Sequence, residues 1–202
     1  MSQIFDLIVT DASPLITLAA ADALDCLIIP DLRVVIPDMV YTEVTRDLAR
    51  LGAAGVVAWV RAHHGQVEIA PTEVFAEFQA LQTVQPDIRS RGRGEQAALE
   101  VLTAEIAADP DLHALLLFED NDVRSRSFVR ILPERVMAIS TGELLAELEA
   151  AGRIQSSDHV LDEAARQGRN VERQRDPFEN TETRARLREH LQVDRKGPEF
   201  ER

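Results

Sequence analysis

Four acidic side chains stand at comparable places along the chain. Asp11 follows the apolar run Ile8-Val9-Thr10, and Glu43 follows Val40 by three residues, just past the run Val34–Ile36. Glu95 comes after a Gly- and Arg-rich stretch, and Asp120 follows the most apolar run, His113–Phe118. An apolar run that ends in an acid places a carboxylate at the carboxyl end of a strand, the edge where open α/β sheets bind ligands. A half-buried carboxylate is costly there unless a cation or backbone donors compensate it. Oxygen donors of this type suit hard cations such as Mg²⁺ or Mn²⁺. Two such ions about 4 Å apart can activate water and stabilise a leaving oxygen in phosphodiester cleavage. That chemistry needs no histidine, and His63, His64, His113, His159 and His190 show no ligand spacing with Cys26 or with one another. The chain has no phosphate-binding GxxxxGK[ST] loop, Rossmann glycine fingerprint, GxSxG elbow or HExxH pair.

The elements that must position these acids alternate strand and helix. Ile8 to Thr10 reads as a buried strand with Asp11 as its last residue. A helix from Pro14 to about Leu27 follows, with Ser13 as its cap and Pro14 in the first turn. Val34–Ile36 is a second strand, and Pro37 leads into a helix on which Glu43 shares a side with Val40 and Val44. A helix over 52–63, a strand over 67–70 and a helix over 72–82 come next. Residues 85–94 form a loop carrying Arg89, Arg91 and Arg93, which read either as a strip at the site's rim or as a solvated loop. Glu95 opens the next helix, where the dipole alone would favour an acid. His113–Phe118 is the fourth strand, followed by Glu119, Asp120, Asn121 and Asp122 and then a helix with Arg124, Arg126 and Arg130. Val136–Ile139 is the fifth strand. Ser140 and Glu143 have the spacing of a capping box, and helices over 142–151 and 158–168 follow. The expected architecture is an α/β domain with a parallel sheet over residues 1–168. Residues 169–202 read as a charged, largely flexible tail or partner-binding arm with one helix at 181–191.

Composition narrows the chemistry. The 202 residues are 45% hydrophobic but only 4% aromatic, which predicts an aliphatic core. The net charge of −13 combines −15 in the first 165 residues with +2 in the rest, and argues against tight sequence-independent duplex binding without excluding an enzyme that holds nucleic acid through metal ions. Of the 22 basic residues only Lys196 is lysine, so a phospho-accepting receiver domain, which needs a lysine at a late strand end, is disfavoured. The one cysteine, Cys26, excludes an internal disulfide and reads as core filler. Without a long apolar run or a signal peptide, the chain is expected to be cytoplasmic and to have no membrane partner.

The segments IVTDASPLITLAAA, VVIPDMVYTEV, GRGEQAALEVL and LLLFEDNDVRSRSF occur in that order. Together they resemble the four acidic motifs of PIN-domain proteins, over roughly residues 5–165. The resemblance is to the subgroup with Gly-x-Gly-Glu in the third motif and an acid-Asp-x-x-x-Arg fourth, here Glu119-Asp120 through Arg124. It implies a PIN-like three-layer sandwich with a central, mainly parallel five-stranded sheet. It also implies a Mg²⁺- or Mn²⁺-dependent ribonuclease, as in the toxins of type II toxin–antitoxin pairs of the VapC kind, with RNA as substrate and a cognate antitoxin protein as partner. By that resemblance Asp11, Glu43, Glu95 and Asp120 are the metal-binding and catalytic acids, with Asp122 as a further candidate. Ser13, Arg89, Arg91, Arg93 and Arg124 are candidates for contacting RNA. Ser13 and Ser140 or Thr141 are candidates for holding water or phosphate, with capping as the alternative. The chain departs from many members in its third acid, Glu rather than Asp, and in Phe118, where Thr or Ser is frequent. A non-catalytic PIN-like module binding nucleic acid or protein is the competing function. The oligomeric state, a homodimer among the options, is left open.

Overall fold

The structure, a computed structural model, describes residues 4–119, 132–175 and 181–193. Strands β1 (Leu7–Thr10), β2 (Arg33–Pro37), β3 (Val67–Ala70), β4 (Ala114–Phe118) and β5 (Val136–Ser140) form one all-parallel sheet in the order β3-β2-β1-β4-β5. The first half of the described chain supplies helices α1 (Ala12–Ala20), α2 (Asp38–Thr45), α3 (Ala53–Ala62), α4 (Glu73–Val84) and α5 (Arg93–Ala108). The second supplies α6 (Thr141–Ala150), α7 (Ser157–Arg166) and α8 (Thr181–Val193). This is the PIN-like α/β architecture expected.

Both sheet faces are covered, which is why the strands read as nearly unbroken apolar runs. Ile8, Val34, Ile36, Leu115, Leu117 and Ile139 pack towards α1, α3, α6 and α7. Leu7, Val9, Val35 and Leu116 pack against Ala98, Val101 and Leu102 of α5. Strand order reverses at β1: one connection leads to β2 on one side, and the chain later crosses to β4 on the other. In open parallel sheets the crevice at such a reversal collects ligands, and β1 and β4 run in register there, with Thr10 opposite Leu117. Cys26 is buried, and burial pushes its thiol up to about 11, consistent with a packing role. Among the described residues no helix is long and apolar enough to cross a membrane.

Two local readings need correction. β1 stops at Thr10, and α1 begins at Ala12, so Asp11 occupies the N-cap position expected for Ser13. The helix expected from Pro14 to Leu27 stops at Ala20, and a 3₁₀ turn over Leu24–Leu27 takes its place after Asp22, which adopts a left-handed φ of 53°. The helix expected at 181–191 is α8, Thr181–Val193. α8 lays Leu187 and Leu191 into the core, and Arg184 Nε and Arg188 Nε donate to the fully buried Glu147 of α6 at 2.7 and 2.8 Å. Two arginines around one buried carboxylate satisfy its charge and fix the helix in register. Just before it, the Gln174 backbone lies so close to α6 that a Cβ on Gly142 would meet the Gln174 carbonyl oxygen at 1.8 Å. The helix expected after β4, with Arg124, Arg126 and Arg130, lies outside the described residues.

The opposite end of α8 reaches the start of the sheet. His190 Nε2 lies 2.8 Å from the Pro30 carbonyl, and its Nδ1 accepts from the Phe5 amide at 3.4 Å. A carbonyl can only accept and an amide can only donate, so in this arrangement Nε2 is the donor and Nδ1 the acceptor.

Candidate active site

Period-two alternation aims Asp11. Leu7 and Val9 face the α5 layer, and Asp11, still extended at φ −84° and ψ 174°, carries that alternation one residue past the strand. Its amide donates to the Leu117 carbonyl at 3.0 Å, which keeps it aligned with β4. Facing it is the first turn of α5, where Gly94 is buried. A Cβ at Gly94 would lie 3.3 Å from Asp11 Oδ1, 3.5 Å from Val40 Cγ2 and 3.8 Å from Glu43 Oε2. Two carboxylates on different elements thus converge on one small space. The i,i+3 relation of Val40 and Glu43 brings both to it, as their spacing predicts.

Glu95 lies in the same turn of α5, which the chain enters through Gly92 at φ 72°, a left-handed conformation suited to glycine. Asp11, Ser13, Glu43, Arg91 and Glu95 line a common cavity of about 260 Å³. Burial holds the Glu43 carboxyl above the usual glutamate range; Arg46 and Arg50 oppose the shift and Glu95 adds to it. The folded carboxyl therefore binds its proton more tightly than the unfolded one. Protonation favours the fold, and stability is lost as pH rises through the raised value. In metal-free protein, Glu43→Gln should raise the melting temperature at pH 7, and the gap should close below about pH 4, where glutamates are protonated in both states. A mutant that melts lower at pH 7 would mean that Glu43 is a favourable structural anion.

The donor set is all oxygen, and the room beside Gly94 that a Cβ would fill is bounded by two of those oxygens, so the residues fit a hard divalent cation. Among the described residues, however, no three His, Cys, Asp or Glu side chains form a ready ligand cluster. Asp120 and Asp122, assigned to the fourth motif, lie outside the described residues, as does Arg124.

The arginine strip divides. Arg91 lines the cavity, whereas Arg93 lies over the Phe78 ring with its guanidinium carbon 5.3 Å from the centroid, and Arg89 is simply exposed. Ser13 reaches the cavity without capping the helix. Ser140 is committed elsewhere: it is buried, its hydroxyl oxygen accepts from the Glu143 amide at 3.2 Å, and its backbone amide donates to Glu143 Oε2 at 2.9 Å, completing the capping box. Thr141 is fully buried in the first turn of the same helix.

Residues 7–77 match the family model described as a PIN domain. No curated protein matches the chain, and no solved structure does. The PIN-domain match runs from β1 into α4 and so includes Asp11 and Glu43. Glu95 lies beyond it and joins the site by geometry.

One set of side-chain contacts near these acids was not visible in the sequence. Glu119, directly after β4, is turned away from the cavity towards α1. Its Oε2 accepts from Thr17 Oγ1 at 2.9 Å and from Arg169 Nη2 at 3.2 Å. Gly168 after an amphipathic helix could have signalled the turn that presents Arg169. Nothing local signals a partner fifty residues away.

Proposed function

We propose that the chain is a Mg²⁺- or Mn²⁺-dependent endoribonuclease, the toxin of a type II toxin–antitoxin pair of the VapC kind. The observation that carries this reading is the convergence of Asp11 Oδ1 and Glu43 Oε2 on the space beside Gly94. Glu95 and Arg91 line the same cavity, at the carboxyl end of a PIN-like sheet. Asp11 and Glu43 would hold the cation, with Glu95 and, from the fourth motif, Asp120 completing the charge. The bound cation would supply an activated water and stabilise the leaving oxygen of the RNA phosphodiester. Arg91, cationic at the rim of an acidic pocket, would take a phosphate of the substrate, orienting the strand over the acids. The four motifs in order support the toxin role. So does the fit of an acidic cavity to an arginine supplied by an antitoxin, which would compete with the cation.

The test is cleavage of labelled single-stranded RNA by metal-stripped protein with and without Mn²⁺. Expected are cleavage that EDTA abolishes, and growth arrest on expression that a small neighbouring gene product relieves. Binding of RNA without any cleavage would favour the competing reading, a non-catalytic module. The lack of a three-acid cluster among the described residues is the observation on that side.

The division of the arginines gives a second expectation. Arg91→Ala should weaken RNA binding about 3–10-fold and lower the salt slope by about one, while Arg89→Ala should do little. Arg93→Ala should mainly lose its contact with Phe78, about 0.5–1 kcal/mol of stability, with the salt slope unchanged. Salt titrations of the three variants separate these roles, and equal slopes for all three would remove Arg91 from the RNA path.

A further inference from the structure

We propose that Arg169 is a positioning residue for Asp11, a role that rests on the metal-site reading above. The end of α7 presents it. Gly168 turns at φ 94°, its amide donates to the Ala165 carbonyl at 2.9 Å, and the Arg169 amide donates to the Ala164 carbonyl at 3.1 Å. This is a Schellman turn, which fixes the direction in which residue 169 leaves the helix. The guanidinium then binds three groups. Nε donates to Thr17 Oγ1 at 3.0 Å, and Nη2 donates to the Ser13 carbonyl at 3.3 Å and to Glu119 Oε2 at 3.2 Å. Thr17 closes the ring by donating to the same Glu119 oxygen. Thr17 and Glu119 are 0% and 8% exposed, so these bonds are shielded from water.

The geometry matters because of where the three groups belong. Ser13 and Thr17 lie in the first turns of the helix that Asp11 begins, and Glu119 directly follows β4. Arg169 therefore ties the start of α1 to the end of β4 across the crevice at which Asp11 stands. It does not line the acid cavity and would act only through α1. A planar fork with several donors can hold hydroxyl, carbonyl and carboxylate together, which a lysine, with its single ammonium, cannot reproduce. Partners behind metal ligands commonly change metal affinity by about 10–100-fold when removed.

The test uses the full chain as wild type, Arg169→Ala, Arg169→Lys and Thr17→Val. Melting temperature, Mn²⁺ affinity by calorimetry, exchange of the Asp11 amide in metal-free protein, and kcat and KM on single-stranded RNA are measured. Arg169→Ala should bind Mn²⁺ about 10–100-fold more weakly and lose kcat in proportion with little change in KM. Its Asp11 amide should exchange faster, and Arg169→Lys should recover only part of each loss. Thr17→Val, which keeps the shape and deletes one hydroxyl, should weaken Mn²⁺ binding about 3–10-fold; it keeps the idea testable if Arg169→Ala does not fold. A folded Arg169→Ala, or in its absence Thr17→Val, with wild-type Mn²⁺ affinity and a protected Asp11 amide would overturn the proposal and leave the nuclease reading standing. Wild type that binds no Mn²⁺ would overturn both.

Discussion

Asp11→Asn is expected to lower RNA cleavage by about 100-fold or more while making the metal-free protein slightly more stable. The two signs come from one cause. Asp11, Glu43 and Glu95 share a cavity, and neighbouring carboxylates repel one another more than a carboxylate repels a neutral amide. Asparagine keeps the shape and leaves the amide bond to Leu117 untouched, so it removes the repulsion without disturbing the strand end. Mn²⁺ at a hundred times its dissociation constant should stabilise wild type by about 2.7 kcal/mol, or roughly 5–10 °C in a chain of this size. The mutant should gain much less. If Asp11 were only a structural residue at the start of α1, the outcome would reverse: a lower melting temperature and an unchanged response to Mn²⁺. Four melting curves separate the cases, and the reversed pattern would end the metal-site assignment.

Gly94→Ala is expected to separate stability from activity in a second way. Gly94 lies inside the first turn of α5 and is not among the glycines with positive φ, so its lack of a side chain serves space and not backbone conformation. Alanine is the better helix former, and the change should leave the melting temperature unchanged or raise it by up to about 3 °C. The added methyl would stand 3.3 Å from Asp11 Oδ1, close enough that the carboxylate must move by a few tenths of an ångström. Asp11 can yield because the contact is with the end of a side chain. It would then leave the position from which, in the proposed reading, it would share a cation with Glu43. Mn²⁺ affinity and kcat should each fall by about tenfold or more. Wild-type affinity in a folded Gly94→Ala protein would show that the space beside Gly94 is not where the cation sits.

What could be read without coordinates was local. Ile8-Val9-Thr10 announces a buried strand, and an acid after such a run belongs at its carboxyl edge. The spacing of Val40 and Glu43 says they share a helix side, and Ser140 and Glu143 spell out their own capping box. Each of these depends on residues a few positions apart, where backbone geometry leaves few choices. Ser13 was misplaced because Asp11 and Ser13 are both residue types that start helices and only packing decides which does. Glu147 sits between Leu144 and Leu148 and reads as a polar interruption of an apolar stripe. Its meaning comes from Arg184 and Arg188, themselves one helical turn apart on a helix that docks from far along the chain. The Arg169–Glu119–Thr17 ring is equally invisible, since it joins three distant segments through side chains whose types are ordinary on any surface.

The bond between the Phe5 amide and His190 spans 185 positions. At the ribosome's pace of about 5–20 residues per second, the N-terminal strand waits roughly 10–40 s for the ring that accepts from it. β1 waits a little over half as long for β4, which is its partner on one side and follows it by about a hundred residues. Until then the central strand of the sheet has one open edge, a template for pairing with other chains. The acids on α2 and α5 can be in place before the helix that braces the sheet has been translated. Completion of the fold is therefore timed by its last packed helix, and a stall in translation between α5 and α8 would leave a half-built sheet exposed to chaperones and proteases.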